Sequence, residues 1–174
     1  LTFRIDGGDW FDLKNVEILF YRQELNVREG ILVRTLRFTD AKGRETALTS
    51  RRLVHMGKPH LAGIEMTLKA ENWSGDIQVR SALDGRVINW GVKRYRELDG
   101  RHLEAVGTAR AGDEGVSLMV RTSQARMEIA QAARTRIFDD DGKPLKLKRE
   151  TVEEKGYIAH DLFFRAEEGE VITI

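Results

Sequence analysis

The sequence predicts an all-β protein, a large antiparallel β-sandwich. Three observations predict it. Apolar side chains recur with a period of two, short segments of this kind follow one another about every ten residues, and Gly- or Asp-rich turns separate them. The two prolines, Pro59 and Pro144, both fall in connections, where a missing N–H costs a sheet nothing.

Taken in order, Glu17 to Val27 reads as a long extended segment. Gly30 opens the next strand, with Leu32, Leu36 and Phe38 on one face, and Asp40-Ala41-Lys42-Gly43 turns the chain into a return strand from Arg44 to His55. Leu61 to Ala70 alternates Ala62, Ile64, Met66 and Leu68 against Glu65, Thr67 and Lys69. Ile77 to Leu83 sets Ile77, Val79 and Leu83 against Gln78, Arg80 and Ala82. Pairing of these two strands across the turn Asn72-Trp73-Ser74-Gly75 is the expectation.

Beyond the Asp84-Gly85 turn, Asn89 to Arg96 is unusually aromatic and basic for a connector. His102 to Arg110 and Val116 to Thr122 form a further hairpin, with Val116, Leu118 and Val120 inward. Ala125 to Ile137 carries alanines that suit a helix, but its neighbours and its Thr135-Arg136-Ile137-Phe138 ending favour a strand. Asp139-Asp140-Asp141-Gly142 is a turn, and Leu145 to Lys155 continues extended. Tyr157 to Phe164 follows, with Ile158, Leu162 and Phe164 inward beside His160, and Val171 to Ile174 is the last strand. The 174 residues, 41% of them hydrophobic, suit a single domain over 1–174 that buries roughly two-thirds of its unfolded surface.

Charge and composition exclude several functions. With 29 basic and 28 acidic residues spread along the chain, a net charge of +1 leaves no clustered footprint for nucleic acid. The absence of cysteine excludes disulfides, thiolate metal sites and cysteine nucleophiles, and fits a reducing compartment such as the cytoplasm. Apolar runs of a few residues give no membrane span. A start at Leu1 without a basic, apolar leader fits a trimmed piece of a longer protein.

Catalytic signatures fail in turn. There is no Gly-x-Ser-x-Gly elbow, no phosphate-binding Gly-rich loop and no His-Glu-x-x-His pair. Aligned as a calcium loop on Gly142, the Asp run would put Ile137 and Lys148 at ligand positions, so it reads as a turn. Asn72-Trp73-Ser74 fits the N-glycosylation triplet, a pattern common by chance. His55, His60, His102 and His160 read as structural rather than as a metal centre. His102 and Glu104 fall on one strand face, the arrangement a sugar-isomerising acid–base pair would need, although two solvent-facing side chains look the same. Arg28, Arg34, Arg37, Arg44, Arg51 and Arg52, with Glu24, Glu29, Asp40 and Glu45 nearby, read as cross-strand ion pairs on a solvated face. Trp90, Lys93, Arg94 and Tyr95 remain as interface or sugar-contact candidates. Aromatic rings stack on sugar faces, arginines grip hydroxyls or phosphate in pairs, and both anchor protein interfaces.

Tyr21-Arg22-Gln23-Glu24-Leu25-Asn26-Val27-Arg28-Glu29-Gly30, Arg51-Arg52-Leu53-Val54, His60-Leu61-Ala62, Glu71-Asn72-Trp73-Ser74-Gly75, Ser81-Ala82-Leu83-Asp84-Gly85 and Arg94-Tyr95-Arg96 occur in that order. Together they resemble the N-terminal domain of glycoside hydrolase family 65, which contains maltose, trehalose and kojibiose phosphorylases and hydrolase relatives. The resemblance implies a galactose mutarotase-like super-sandwich of two antiparallel sheets. It implies that the general acid and the phosphate site lie on a C-terminal (α/α)6 barrel, this chain's partner domain, so no catalytic residue falls here. It further implies inverting cleavage of an α-linked glucosyl disaccharide by phosphate or water, inorganic phosphate as co-substrate with no cofactor, and a part for the domain in shaping the active-site mouth or in a homodimer. Rival expectations are an independent carbohydrate-binding module, and a mutarotase-like isomerase using His102 and Glu104.

Overall fold

The computed structural model describes residues 1–89, 91 and 100–174. Its strands are β1 (Thr2–Ile5), β2 (Glu17–Asn26), β3 (Ile31–Thr39), β4 (Glu45–Val54), β5 (Ala62–Ala70), β6 (Gly75–Asp84), β7 (Leu103–Ala111), β8 (Gly115–Thr122), β9 (Glu128–Arg134), β10 (Lys148–Glu154), β11 (Tyr157–Ala166) and β12 (Val171–Thr173). They form three antiparallel sheets, ordered β12-β5-β4-β3-β2, β1-β6-β11-β10 and β7-β8-β9. Two compact units contain them: Phe3–Gln78 with Arg136–Leu147 and Phe164–Ile174, and Leu1–Thr2 with Val79–Thr135 and Lys148–Phe163. Both β6 and β11 begin in one unit and end in the other.

The first unit is built on the five-stranded sheet. Its register places Tyr21, Leu36, Leu48 and Leu68 in one row across β2, β3, β4 and β5. Leu36, Leu48 and Leu68 are buried, each worth about 2 kcal/mol of apolar transfer. Phe11 lies between Phe3 and Phe38, with ring centroids 5.0 and 4.8 Å away. The β3–β4 turn forms because Asp40 Oδ1 accepts the backbone N–H groups of Lys42 and Arg44, at 2.8 and 3.1 Å, while Gly43 supplies a φ of +75°.

One expected pairing is not made. β5 does not form a hairpin with β6; it pairs with β4 on one side and β12 on the other, and β6 enters a different sheet. The cause is the intervening turn. The buried Trp73 donates its indole N–H to the Glu45 carbonyl at 2.9 Å and to Thr46 Oγ1 at 3.1 Å. Asn72 accepts from Glu45 N at 2.7 Å and donates to Gly43 O at 3.1 Å. These bonds fasten the segment to the start of β4 and leave the Asn72 amide engaged, so the triplet has a structural occupation. Residues 1–16, which the periodicity reading passed over, supply β1 and a 3-10 turn at Leu13–Asn15 capped by Asp12.

In the second unit, β7, β8 and β9 form a meander. Val116, Leu118 and Val120 pack with Ile158, and Leu83, Leu103 and Ala133 lie against them. The alanine-rich stretch is a strand, because β9 finds a seven-residue antiparallel partner in β8, from Gly115↔Arg134 to Arg121↔Glu128. Gly85 is where the chain comes closest to this core. A Cβ there would collide with Val120 and sit 3.3 Å from Leu118, while its N–H donates to Gly156 O at 2.8 Å.

Candidate functional site

Trp90, Lys93, Arg94 and Tyr95 lie outside the described residues. What the structure does define is the base on which that loop stands. Asn89 N–H donates to Gly100 O at 2.9 Å, so the two ends of the segment are held together, and Asn89 Oδ1 accepts from Gly91 N at 3.2 Å. Gly100 is required at this pinch: a Cβ would sit 2.9 Å from Asn89 O and 3.0 Å from Ile88 Cγ2. Three residues earlier, Arg86 braces the same stretch. It donates to Asp84 Oδ1 at 2.9 Å and to Glu154 Oε2 at 2.6 Å, and its guanidinium lies 4.3 Å from the Tyr157 ring centroid. The Arg86 hydrogen bond holds the Asp84 carboxyl below the usual carboxylate range. Arg86 thus ties the end of β6 to β10 three residues before the Asn89–Gly100 pinch.

Two further polar pairs lie in the same unit, each built on a buried residue of β11. Arg80 grips Asp161 through two bonds, Nε to Oδ1 at 2.7 Å and Nη2 to Oδ2 at 2.6 Å. Hydrogen bonding to Asp161 raises the Arg80 pKa. His160 is buried, with Nδ1 3.2 Å from Arg149 Nη1, and Arg149 also donates to Thr135 O at 3.0 Å. Burial first, then the positive charges of Arg149 and Arg110, push the His160 pKa down, and the Glu114 backbone opposes this only in part. A neutral imidazole that accepts at Nδ1 is a structural group.

The other histidine and carboxylate candidates are likewise occupied or separate. His55 Nδ1 accepts the backbone N–H groups of Gly57 and Lys58 at 3.1 and 3.0 Å, closing its own turn. Glu104 is held by Arg126 Nη1 at 2.7 and 2.8 Å, and His102 is exposed before β7 begins. Asp139 Oδ1 accepts from Lys143 N at 2.8 Å, and Gly142 has a φ of +73°, so the Asp run is a capped turn. Among the described residues, no three His, Asp or Glu side chains converge as metal ligands.

The sequence reading missed a cleft in the first unit. It encloses about 220 Å³ beside β1, with Phe3, Trp10, Phe11 and Phe38 as its apolar lining and Asp12 and Arg44 at its rim. Arg4 lies 4.7 Å from the Trp10 ring centroid and Arg44 is tied to Asp40 and Asp6. The signal was Gly7-Gly8-Asp9-Trp10-Phe11, a turn leading directly into two aromatics.

The arginine expectation divides. Arg37 pairs with Glu45 at 2.6 Å and with Glu71, Arg44 with Asp40, and Arg51 with Glu65 at 3.3 Å. Arg34 and Arg52 instead point to the opposite face of the sheet, where no ion pair reaches them among the described residues.

The same fold occurs in a putative kojibiose phosphorylase from the human microbiome: 99% of this chain superposes on 20% of that one with a TM-score of 0.78, at 17% identity. The chain belongs to glycosyl hydrolase family 65, whose N-terminal domain matches residues 1–174. It is 38% identical over its full length to 13% of an uncharacterized glycosyl hydrolase of Mycobacterium tuberculosis. It is 32% identical over 123 residues to a kojibiose phosphorylase of Halothermothrix orenii, covering 69% of this chain and 16% of that protein. An α,α-trehalose phosphorylase of Thermoanaerobacter brockii is 30% identical over 112 residues, 62% of this chain and 14% of the relative. The chain thus spans less than a fifth of the length of the relatives it matches.

Proposed function

We propose that this chain is the non-catalytic N-terminal domain of an enzyme that cleaves α-linked glucosyl disaccharides, and that it packs on a C-terminal (α/α)6 catalytic barrel. The observation that supports this is the family match over all 174 residues, in relatives more than four times longer. In the reaction proposed for the parent, a carboxylic acid protonates the glycosidic oxygen as its bond to the anomeric carbon breaks. Inorganic phosphate, or water in a hydrolase, attacks that carbon from the opposite face with inversion. Both groups belong to the barrel in this reading, and the sandwich contributes position. The loop with Trp90, Lys93, Arg94 and Tyr95, rooted at the Asn89–Gly100 pinch, faces the barrel or the dimer partner and shapes the approach to the active site. The proposed compartment is the cytoplasm.

Phosphate-dependent cleavage of maltose, trehalose and kojibiose, measured with the parent and with this segment, tests the reading. Activity in the parent alone supports it. Turnover by the segment alone overturns it.

The Trp10 cleft favours a second reading, carbohydrate binding by the domain itself. An aromatic-floored cavity with charged groups at its rim suits the apolar face and hydroxyl edge of a glucosyl ring. Binding of maltose by the parent that is lost in Trp10→Ala while catalysis persists would establish it; unchanged binding would remove it.

A further inference from the structure

The five-stranded sheet treats its two faces differently. On one face three ion pairs form, Arg22 with Glu24, Arg37 with Glu45 and Arg51 with Glu65. The other face begins as core and ends open. Along β5 the same face carries Leu68 and Met66, 3% and 6% exposed, and then Ile64, 54% exposed. The register carries this change across the sheet, so that Leu25, Leu32, Arg52 and Ile64 stand in one row and Gln23, Arg34, Ser50 and Met66 in the next. Leu25 and Val54, each 62% exposed, extend the apolar rim.

Between those two rows is a depression of about 40 Å³ lined by Gln23, Leu32, Arg34, Ser50 and Arg52. Its polar side chains are Gln23, Arg34, Ser50 and Arg52, of which the two arginines can only donate. Gln23 Oε1 accepts from the Tyr21 hydroxyl at 2.9 Å. Arg34 Nε is buried and has no hydrogen-bond acceptor among the described residues. Arg34 as a whole is half-buried, but a donor closed off from water favours a partner, and the guanidinium charge makes an anionic acceptor the best one. About 10–15 Å³ of such volume holds one water, so the depression has room for a carboxylate head.

We infer that Arg34 and Arg52, with Gln23 and Ser50, are the receptor for an Asp or Glu carboxylate on an apolar segment of the parent enzyme outside these 174 residues. That segment covers Leu25, Val54 and Ile64 while its carboxylate bonds to the arginines. The inference rests on the domain reading above and adds the surface and the chemistry of the contact. Two arginines that no acid pairs with among the described residues, set in an apolar rim that continues the core, are complementary to an acidic, apolar segment.

The test uses the full-length enzyme with a benzophenone amino acid in place of Leu25, of Ile64 or, separately, of Trp90, followed by irradiation and peptide mass spectrometry. The expected result is that the probes at 25 and 64 capture one peptide of the same polypeptide, outside residues 1–174 and carrying Asp or Glu. Arg34→Gln should then reduce that crosslink at least about tenfold. Arg34→Glu combined with reversal of the identified acid to Arg should restore it. Capture of a second copy, of a peptide without an acid, or of nothing at 25 and 64 overturns the inference. If the probe at 90 alone captures the remainder of the enzyme, the domain reading stands without this surface. If no probe captures anything, both fall.

Discussion

Arg149 reaches diagonally across the β10–β11 pair to His160, Nη1 to Nδ1 at 3.2 Å, two residues along from Thr151, the direct partner of His160. The pair places a guanidinium beside a buried imidazole, with Arg110 adding positive charge and the Glu114 backbone opposing it. The folded-state pKa is therefore below the ordinary 6.5. Between the two values the unfolded chain binds more protons, so stability is complete above about 6.5 and falls as pH drops toward the folded value.

The first prediction follows. Thermal midpoints of the parent enzyme measured from pH 7.5 to pH 5 should decline below about pH 6.5. His160→Asn, which retains an acceptor for Arg149, should flatten that decline. An equal decline in the variant would assign the acid sensitivity to other groups.

A second prediction concerns Arg80 and Asp161. Asp161→Asn leaves the guanidinium without its anion in a largely buried site, and should cost on the order of 3 kcal/mol in chemical denaturation. Arg80→Met with Asp161→Leu removes both charges and should recover much of the loss. No recovery would mean that the pair's geometry, and not its charge balance, sustains β6 and β11.

Glycine makes a third. Gly85→Ala forces a methyl against Val120 and should destabilise by about 1–3 kcal/mol. Gly107, with nothing within 4 Å of its Cβ position, is the control: Gly107→Ala should change stability by less than about 0.5 kcal/mol. Equal effects at the two positions would contradict the close approach at Gly85.

Period-two patterning was enough to read most strands, because a sheet with one buried face writes its register into alternate residues, as in Leu36, Phe38, Leu48 and Leu68. It was not enough to pair them. Adjacency in sequence suggested a β5–β6 hairpin, and the indole bond of Trp73 to Glu45, a contact 28 residues apart, decided otherwise. The Leu1–Val16 stretch was illegible for a similar reason, since β1 is only four residues long and Phe11 gains its meaning from Phe3 and Phe38. Counting charges likewise suggested that every arginine had an acid nearby. The face each occupies follows from register, and it separates Arg51, paired with Glu65, from its neighbour Arg52, which is not.

The last prediction concerns Trp73 itself. Its ring is buried and its N–H has two acceptors on β4, so Trp73→Phe removes the bonds while keeping most of the apolar volume. The lost hydrogen bonding should cost about 1 kcal/mol, because the Thr46 hydroxyl loses this donor while the Glu45 carbonyl keeps the Glu71 N–H. Trp73→Ala adds a cavity and should cost about 3–5 kcal/mol. Amide exchange distinguishes the two losses. Loss of the indole bonds should raise exchange at the start of β4 and at Glu71, whose N–H donates to Glu45 O at 3.0 Å, while the β3–β4 register from Leu36↔Leu48 onward stays protected. Uniform loss of protection across the sheet would mean that Trp73 serves the fold by its volume alone, and that the absence of a β5–β6 hairpin needs another cause.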